Sequence, residues 1–137
     1  MEITWQELYD KAVSYIKQKT ISPFINVGYI ACAILSDEDK VYVGTNIVSK
    51  TAIEMSAEAN AISKMIAEQN YIIKKMVIVN ELGELLMPCE ECYEYLLDFC
   101  HQGDLEILED LKKEKTFKIK ELLPDWWGTF RIGKEND

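Results

Sequence analysis

Pro88-Cys89-Glu90-Glu91-Cys92 sets two thiols three residues apart, directly after an apolar run and a proline. The proline reads as a helix opening, because its missing N–H is one that a first turn leaves unpaired in any case. On that turn the two thiols share a face. Helix N-terminal N–H groups favour thiolate over thiol there, so the pair is suited to half of a zinc site; the competing reading is two buried core thiols. One other stretch offers a second half. Met55-Ser56-Ala57-Glu58 opens another helix-like segment, with Ser56 thirty-three residues before Cys89.

Around these two helix starts the chain alternates strands and helices. Leu8, Val13, Tyr15 and Ile16 recur at near-helical spacing between Thr4 and about Lys19, and Thr4 with Glu7 forms a capping-box pattern. After a break at Ser22-Pro23, the apolar run Val27 to Leu35 turns through Ser36-Asp37-Glu38-Asp39 into Val41-Tyr42-Val43, the pattern of a two-stranded hairpin. Cys32 lies within the first of these strands and reads as a core thiol. Ala52 to Gln69 reads as the second helix, with Ile62, Met65 and Ile66 on one face and either Thr51 or Ser56 as its cap. Met76-Val77-Ile78-Val79 is a buried strand.

The third helix runs from Cys89 to about Cys100, with Tyr93, Leu96 and Leu97 turned to the core and Gly103 ending it. Leu105 to Leu108 and Thr116 to Ile119 are the last two strands, and the short link between them permits only an antiparallel return. This order predicts a single α/β domain over residues 1–137, a three-layer α/β/α sandwich around a five-stranded mixed sheet. In such sheets ligands sit at strand ends where helices begin. Both candidate half-sites occupy such positions.

Composition narrows the function. Fifteen Lys and Arg against twenty-four Asp and Glu give a net charge of -9, which repels a nucleic acid polymer and favours a small-molecule substrate. The cysteines are not arranged as a dense disulfide framework, which predicts reduced thiols and a cytoplasmic protein. No apolar run is long enough for a membrane helix. The single histidine, His101, excludes any site built on two imidazoles. It is most simply read as a residue at the end of the third helix, favoured by the dipole. Trp126-Trp127 near the end predicts a covered core edge or a subunit interface, and with it a homo-oligomer.

Ser56-Ala57-Glu58 followed by Pro88-Cys89-Glu90-Glu91-Cys92 resembles the zinc-dependent cytidine and blasticidin S deaminases, with Ser56 where the first zinc-ligand cysteine stands. Val27-Gly28, Gly44-Thr45-Asn46 and Glu121-Leu122-Leu123-Pro124 with Trp126-Trp127 are similar to further segments of that family, in the same order. The resemblance implies a cytidine deaminase-like fold and one zinc per chain on Cys89, Cys92 and the Ser56 position. It implies Glu58 as the group that takes a proton from the attacking water and delivers it to the ring nitrogen and leaving amine. Substrate contacts fall to Asn46, Phe24 and Trp126. The implied reaction is hydrolytic deamination of a cytidine-type nucleoside or related aminopyrimidine, in a dimer or tetramer.

The departures from that pattern are chemical. A serine hydroxyl stays protonated near neutral pH and binds zinc weakly. Val48 replaces the acid that normally follows the asparagine by two, and Ala59 and Tyr93 stand where arginines are common. Three thiolates on Zn²⁺ leave a net negative charge for arginine to offset, whereas two leave none. These changes support the alternative of a catalytically inactive relative that keeps the fold for binding or assembly. Without the resemblance, Glu58 reads as a first-turn acid favoured by the macrodipole and Ser56 as an N-cap. A redox role for Cys-x-x-Cys has only the thiol spacing in its favour.

Overall fold

The computed structural model describes residues 3–50, 54–88 and 90–122. Helix α1 (Trp5–Ser14) begins with the expected capping box: the Glu7 N–H donates to Thr4 Oγ1 and the Thr4 N–H to the Glu7 carboxylate. It is shorter than its apolar pattern predicts. The helix buries Trp5, Leu8 and Ala12, a stripe at i, i+3 and i+7, and leaves Val13 and Tyr15 exposed. The chain then turns away, because the Lys17 N–H donates to the Gly28 carbonyl and a short strand follows. Gly28 has φ +81°, and a side chain there would overlap the Lys17 carbonyl.

That short strand, β1 (Lys19–Ser22), is one more than the five expected. It pairs antiparallel with the start of β2 (Ile25–Ser36), and the Ser22-Pro23 break is the turn between them. The long strand also pairs antiparallel with β3 (Val41–Ser49) on one edge and with β4 (Ile73–Asn80) on the other. A parallel step joins β4 to β5 (Glu106–Asp110), which returns antiparallel into β6 (Lys115–Lys118). The five expected strands therefore form the order β3-β2-β4-β5-β6. The sixth, β1, occupies the edge of β2 that β4 leaves unpaired, since β1 meets Ile25 to Val27 and β4 meets Ile30 to Ser36.

Side chains alternate across β2, and the two resulting faces are covered separately. Ala31, Ala33 and Leu35 pack under α1, together with Val43, Val77 and Val79. Cys32 and Ile34 face the other way. They pack against α2 (Ala57–Ala67) and α3 (Glu90–Leu97), which bury Ala57, Ala61, Ile62 and Met65 from the first and Cys92, Leu96 and Leu97 from the second. Ile66, expected on the inner face of α2, is exposed, and Tyr93 is half-buried. Both helices are shorter than their sequence patterns suggest. A 3₁₀ turn at Ile119–Leu122 follows β6.

Gly44 sets how closely α2 approaches the sheet. A Cβ at this position would overlap the backbone nitrogen of Ala61 and lie 2.7 Å from the Ala57 carbonyl, so only glycine admits the helix at this depth. Two side chains of α2 fasten the contact: Asn60 donates to the Thr45 carbonyl at 2.5 Å and Lys64 to the Val43 carbonyl at 2.5 Å. The start of α2 is thereby fixed over β2 and β3.

Candidate active site

Each helix start is tied to a strand end by a short backbone bridge. Met55 exchanges hydrogen bonds with Ile47 of β3, at 2.8 and 3.0 Å, immediately before Ser56 caps α2. After β4, the Asn80 side chain accepts from the N–H groups of Leu82 and Glu84 and turns the chain back. Leu85 then bridges to Val79, and the Leu86 N–H donates to the Ile78 carbonyl at 2.8 Å. Pro88 follows, buried, and α3 begins two residues later. Two segments far apart in sequence thus deliver their first turns to the same end of the sheet.

There the Ser56 hydroxyl has two neighbours. It accepts from the Ala59 N–H at 3.1 Å as the N-cap of α2, which resolves the choice between Thr51 and Ser56 in favour of Ser56. The Cys92 thiol donates to the same oxygen at 3.9 Å. A tetrahedral zinc with ordinary Zn–S and Zn–O lengths separates a sulfur and an oxygen ligand by about 3.6 Å. In placement, then, Ser56 and Cys92 fit two adjacent corners of a zinc site. The donor chemistry at one corner is a neutral hydroxyl that already accepts an N–H. Among the described residues no three His, Cys, Asp or Glu side chains form a metal cage. Cys89 lies outside the described residues, as do Thr51 and Trp126.

Glu58 is on the first turn of α2 and only 5% exposed. It borders a cavity of about 210 Å³ with Ser56, Ala57, Ile30, Ile78, Leu86 and Met87. The walls are apolar apart from the Ser56 and Glu58 side chains, so a flat ring held there would meet mostly hydrocarbon, with polar side-chain groups from those two residues alone among the described lining. Beneath this cavity Cys32 is fully buried. Burial pushes its thiol well above the ordinary value, and Glu58 and Cys92 push it further in the same direction. Cys32 accordingly stays a protonated core thiol, as its strand position predicts.

The remaining expected residues lie farther out. Asn46 is on β3, two residues beyond Gly44 and on the same face. Its Oδ1 accepts from the N–H groups of both Tyr29 and Ile30, each at 3.0 Å, where the β2–β3 register slips between Val27 and Ala31. Phe24 is in the turn between β1 and β2 and 53% exposed. His101 is at the opposite end of β4, in a groove with Lys74, Lys75, Asp104 and Glu106. Periodicity alone did not single out Ile30, Ile78, Leu86 and Met87 as cavity walls. Alternation on β2 and β4 marks the first two as inward-facing, but the fold-back after Asn80 has no local signature.

The family model for the cytidine and deoxycytidylate deaminase zinc-binding region matches residues 4–103. Among solved structures, the cytidine deaminase from Mycobacterium leprae superposes with a TM-score of 0.74 at 21% identity, over 90% of this chain and 100% of that one. The cytidine deaminase from Mycobacterium tuberculosis gives 0.72 at 23% identity, over 90% and 97%. That from Bacillus anthracis gives 0.67 at 24% identity, over 95% and 93%. At these identities the likeness is one of fold. No curated protein matches the chain by sequence.

Proposed function

The chain belongs to the cytidine and deoxycytidylate deaminase zinc-binding family, and from that premise we propose that it deaminates a cytidine-type nucleoside or a related aminopyrimidine of the blasticidin S class. One observation carries the reading: a nearly buried carboxylate, Glu58, borders an apolar cavity beside Ser56, whose hydroxyl meets the Cys92 thiol. Cys89 and Cys92 would hold one zinc per chain, with Ser56 at the adjoining corner. Zinc held there would supply Lewis-acid chemistry that makes water a stronger nucleophile near neutral pH.

The chain's own residues do the rest. Ile30, Ile78 and Leu86 clasp the ring faces and exclude bulk water. Glu58 takes a proton from the attacking water, passes it to the adjacent ring nitrogen, and then carries the remaining hydroxyl proton to the exocyclic amine. A C4–O bond forms, the C4–N bond breaks, and ammonia leaves. Among the described residues no helix is long and apolar enough to cross a membrane. The acidic balance supports a small-molecule substrate rather than a nucleic acid polymer, and a cytoplasmic location is part of the same proposal. Assembly into a dimer or tetramer belongs to the same reading, and light scattering measures it.

A specific observation favours a second reading. The Ser56 hydroxyl is engaged as the α2 cap, the arrangement of a helix start with no metal to hold. This is the inactive, fold-retaining relative. Ser56→Cys separates the two. In the enzyme reading the added thiolate raises zinc affinity, makes binding more pH-dependent because another thiol must lose its proton, and raises ammonia release from cytidine or blasticidin S. In the second reading the variant binds zinc and stays inert on every aminopyrimidine.

A further inference from the structure

The turn after β4 is held at two places. At its neck Asn80 closes the chain on itself, its N–H donating to the Glu84 carbonyl at 3.0 Å and its Oδ1 accepting from the Leu82 and Glu84 N–H groups. At its tip the Gly83 carbonyl accepts from Tyr9 Oη of α1 at 2.6 Å. The tip buries little of itself: Glu81 and Glu84 are exposed and Leu82 is 76% exposed. A turn with so few apolar contacts has little to resist local opening, so the bond from Tyr9 counts for more than it would in a packed segment. Gly83 suits the contact, with φ +77° and room for a Cβ only at 3.1 Å from the same hydroxyl oxygen.

Past the turn the chain divides its side chains between the two faces of the sheet. Leu85 packs with Tyr9 against the α1 cluster, whereas Leu86 packs against the α2 and α3 cluster. Leu86 and Met87 are also walls of the cavity that Glu58 borders. What ties this return segment to β4 is narrow, a bridge from Leu85 to Val79 and one bond from the Leu86 N–H to the Ile78 carbonyl. A hydroxyl on α1 therefore holds the turn from which one wall of the cavity hangs, although α1 lies on the other side of the sheet.

We propose that Tyr9 is a positioning residue for the site: its bond to Gly83 seats the turn and so holds the Leu86 and Met87 wall closed against a bound ring. The seat stands on the geometry alone, and its bearing on ring binding rests on the deaminase reading above. The hydroxyl acts on a population. Without it the turn opens more often, and a ligand that needs the closed wall binds in proportion to the fraction closed. One net hydrogen bond shifts such an equilibrium roughly threefold to tenfold.

The test is amide hydrogen exchange together with calorimetric binding of cytosine, on the full chain and its variants, with melting temperature recorded for each. Tyr9→Phe keeps the ring and removes only the donor. Exchange at the Gly83 and Leu86 amides should quicken roughly threefold to tenfold, while the Ala59 and Asn60 amides that begin α2 keep the parent's rate. Cytosine should bind severalfold more weakly. Leu8→Ala, on the same helix and the more destabilising change, should keep the parent's affinity, which separates positioning from general loss of stability. Gly83→Ala crowds the same bond and should reproduce Tyr9→Phe, and the double variant should lose less than the two singles combined. A parent-like exchange rate at Leu86 in Tyr9→Phe overturns the proposal, and so does quickened exchange with the parent's affinity for cytosine. If the parent itself does not bind cytosine, the deaminase reading falls, and exchange at Leu86 alone then decides whether Tyr9 seats the turn.

Discussion

The two faces of the central sheet are built from the same strands and differ in chemistry. Under α1, the packed residues are Trp5, Leu8 and Ala12 against alanine, valine and leucine, and among the described residues its fully buried members are all apolar. Under α2 and α3, the cluster contains Cys32, Cys92 and Cys100, and Glu58 is buried beside it. Apolar packing is non-directional and scales with the area removed from water, so the first face contributes stability with little demand on geometry. A buried carboxylate is costly unless partnered, whereas a protonated thiol buries like a small apolar group, so Glu58 is what sets the second face apart. The faces share β2, whose alternate residues Ala31, Cys32 and Ala33 point to opposite sides.

The sharpest break in this comparison is Glu58→Gln. In the proposed mechanism it removes the proton shuttle and leaves the helix intact, so ammonia release should fall roughly 10²–10⁴-fold while the melting temperature stays within a few degrees. Leu8→Ala should do the opposite. A fully buried leucine lost from the α1 face costs about 2–5 kcal/mol in a denaturant titration, and cytosine affinity of the remaining folded protein should be unchanged. A linked fall in affinity would show that the two faces are not separable.

Gly44→Ala probes the contact that couples packing to site. Its methyl group meets the α2 backbone, so overpacking should cost about 1–3 kcal/mol and also weaken ligand binding, because the helix start carrying Ser56 and Glu58 must shift. Loss of stability without loss of affinity would place the shift elsewhere.

The smallest effect lies in an exposed ion pair at the rim of the second cluster. Asp104 accepts from Lys120 at 3.0 Å and lies 3.6 Å from Lys118, and the Lys120 hydrogen bond, ahead of the lysine charges, holds its carboxyl below the ordinary range. A lowered folded-state value means the stabilisation is present above the unfolded-state pKa and is lost as pH falls through the folded-state one. Because the pair is exposed, Asp104→Asn should change stability by less than about 1 kcal/mol at neutral pH. Less still should remain in acid or at high salt, as pH-dependent melting would show.

Local signals were legible wherever the physics is local. The Thr4 and Glu7 capping box, the Ser22-Pro23 turn and the antiparallel return of the last strands follow from neighbours in sequence, and each is present. Where partners are distant, pattern was not enough. The strand Lys19–Ser22 pairs only with the beginning of β2, so its few residues carry no periodic signature of their own. Val13 and Tyr15 fit a helical repeat yet lie exposed, because α1 turns its Trp5, Leu8 and Ala12 stripe inward.

The site divides in the same way. The ingredients are written along the chain: a helix-start serine and glutamate, a second helix start with two thiols, and the order in which a deaminase fold presents them. Tertiary structure decided that Ser56 and Cys92 meet at 3.9 Å, through backbone bridges to Ile47 and Ile78 that no local propensity encodes. It also decided how Asn46 is held, since two N–H groups from a slipped register on β2 occupy its oxygen. Residue types are chosen along the chain, whereas hydrogen-bond commitments are made across it, and only the fold brings those partners within bonding distance.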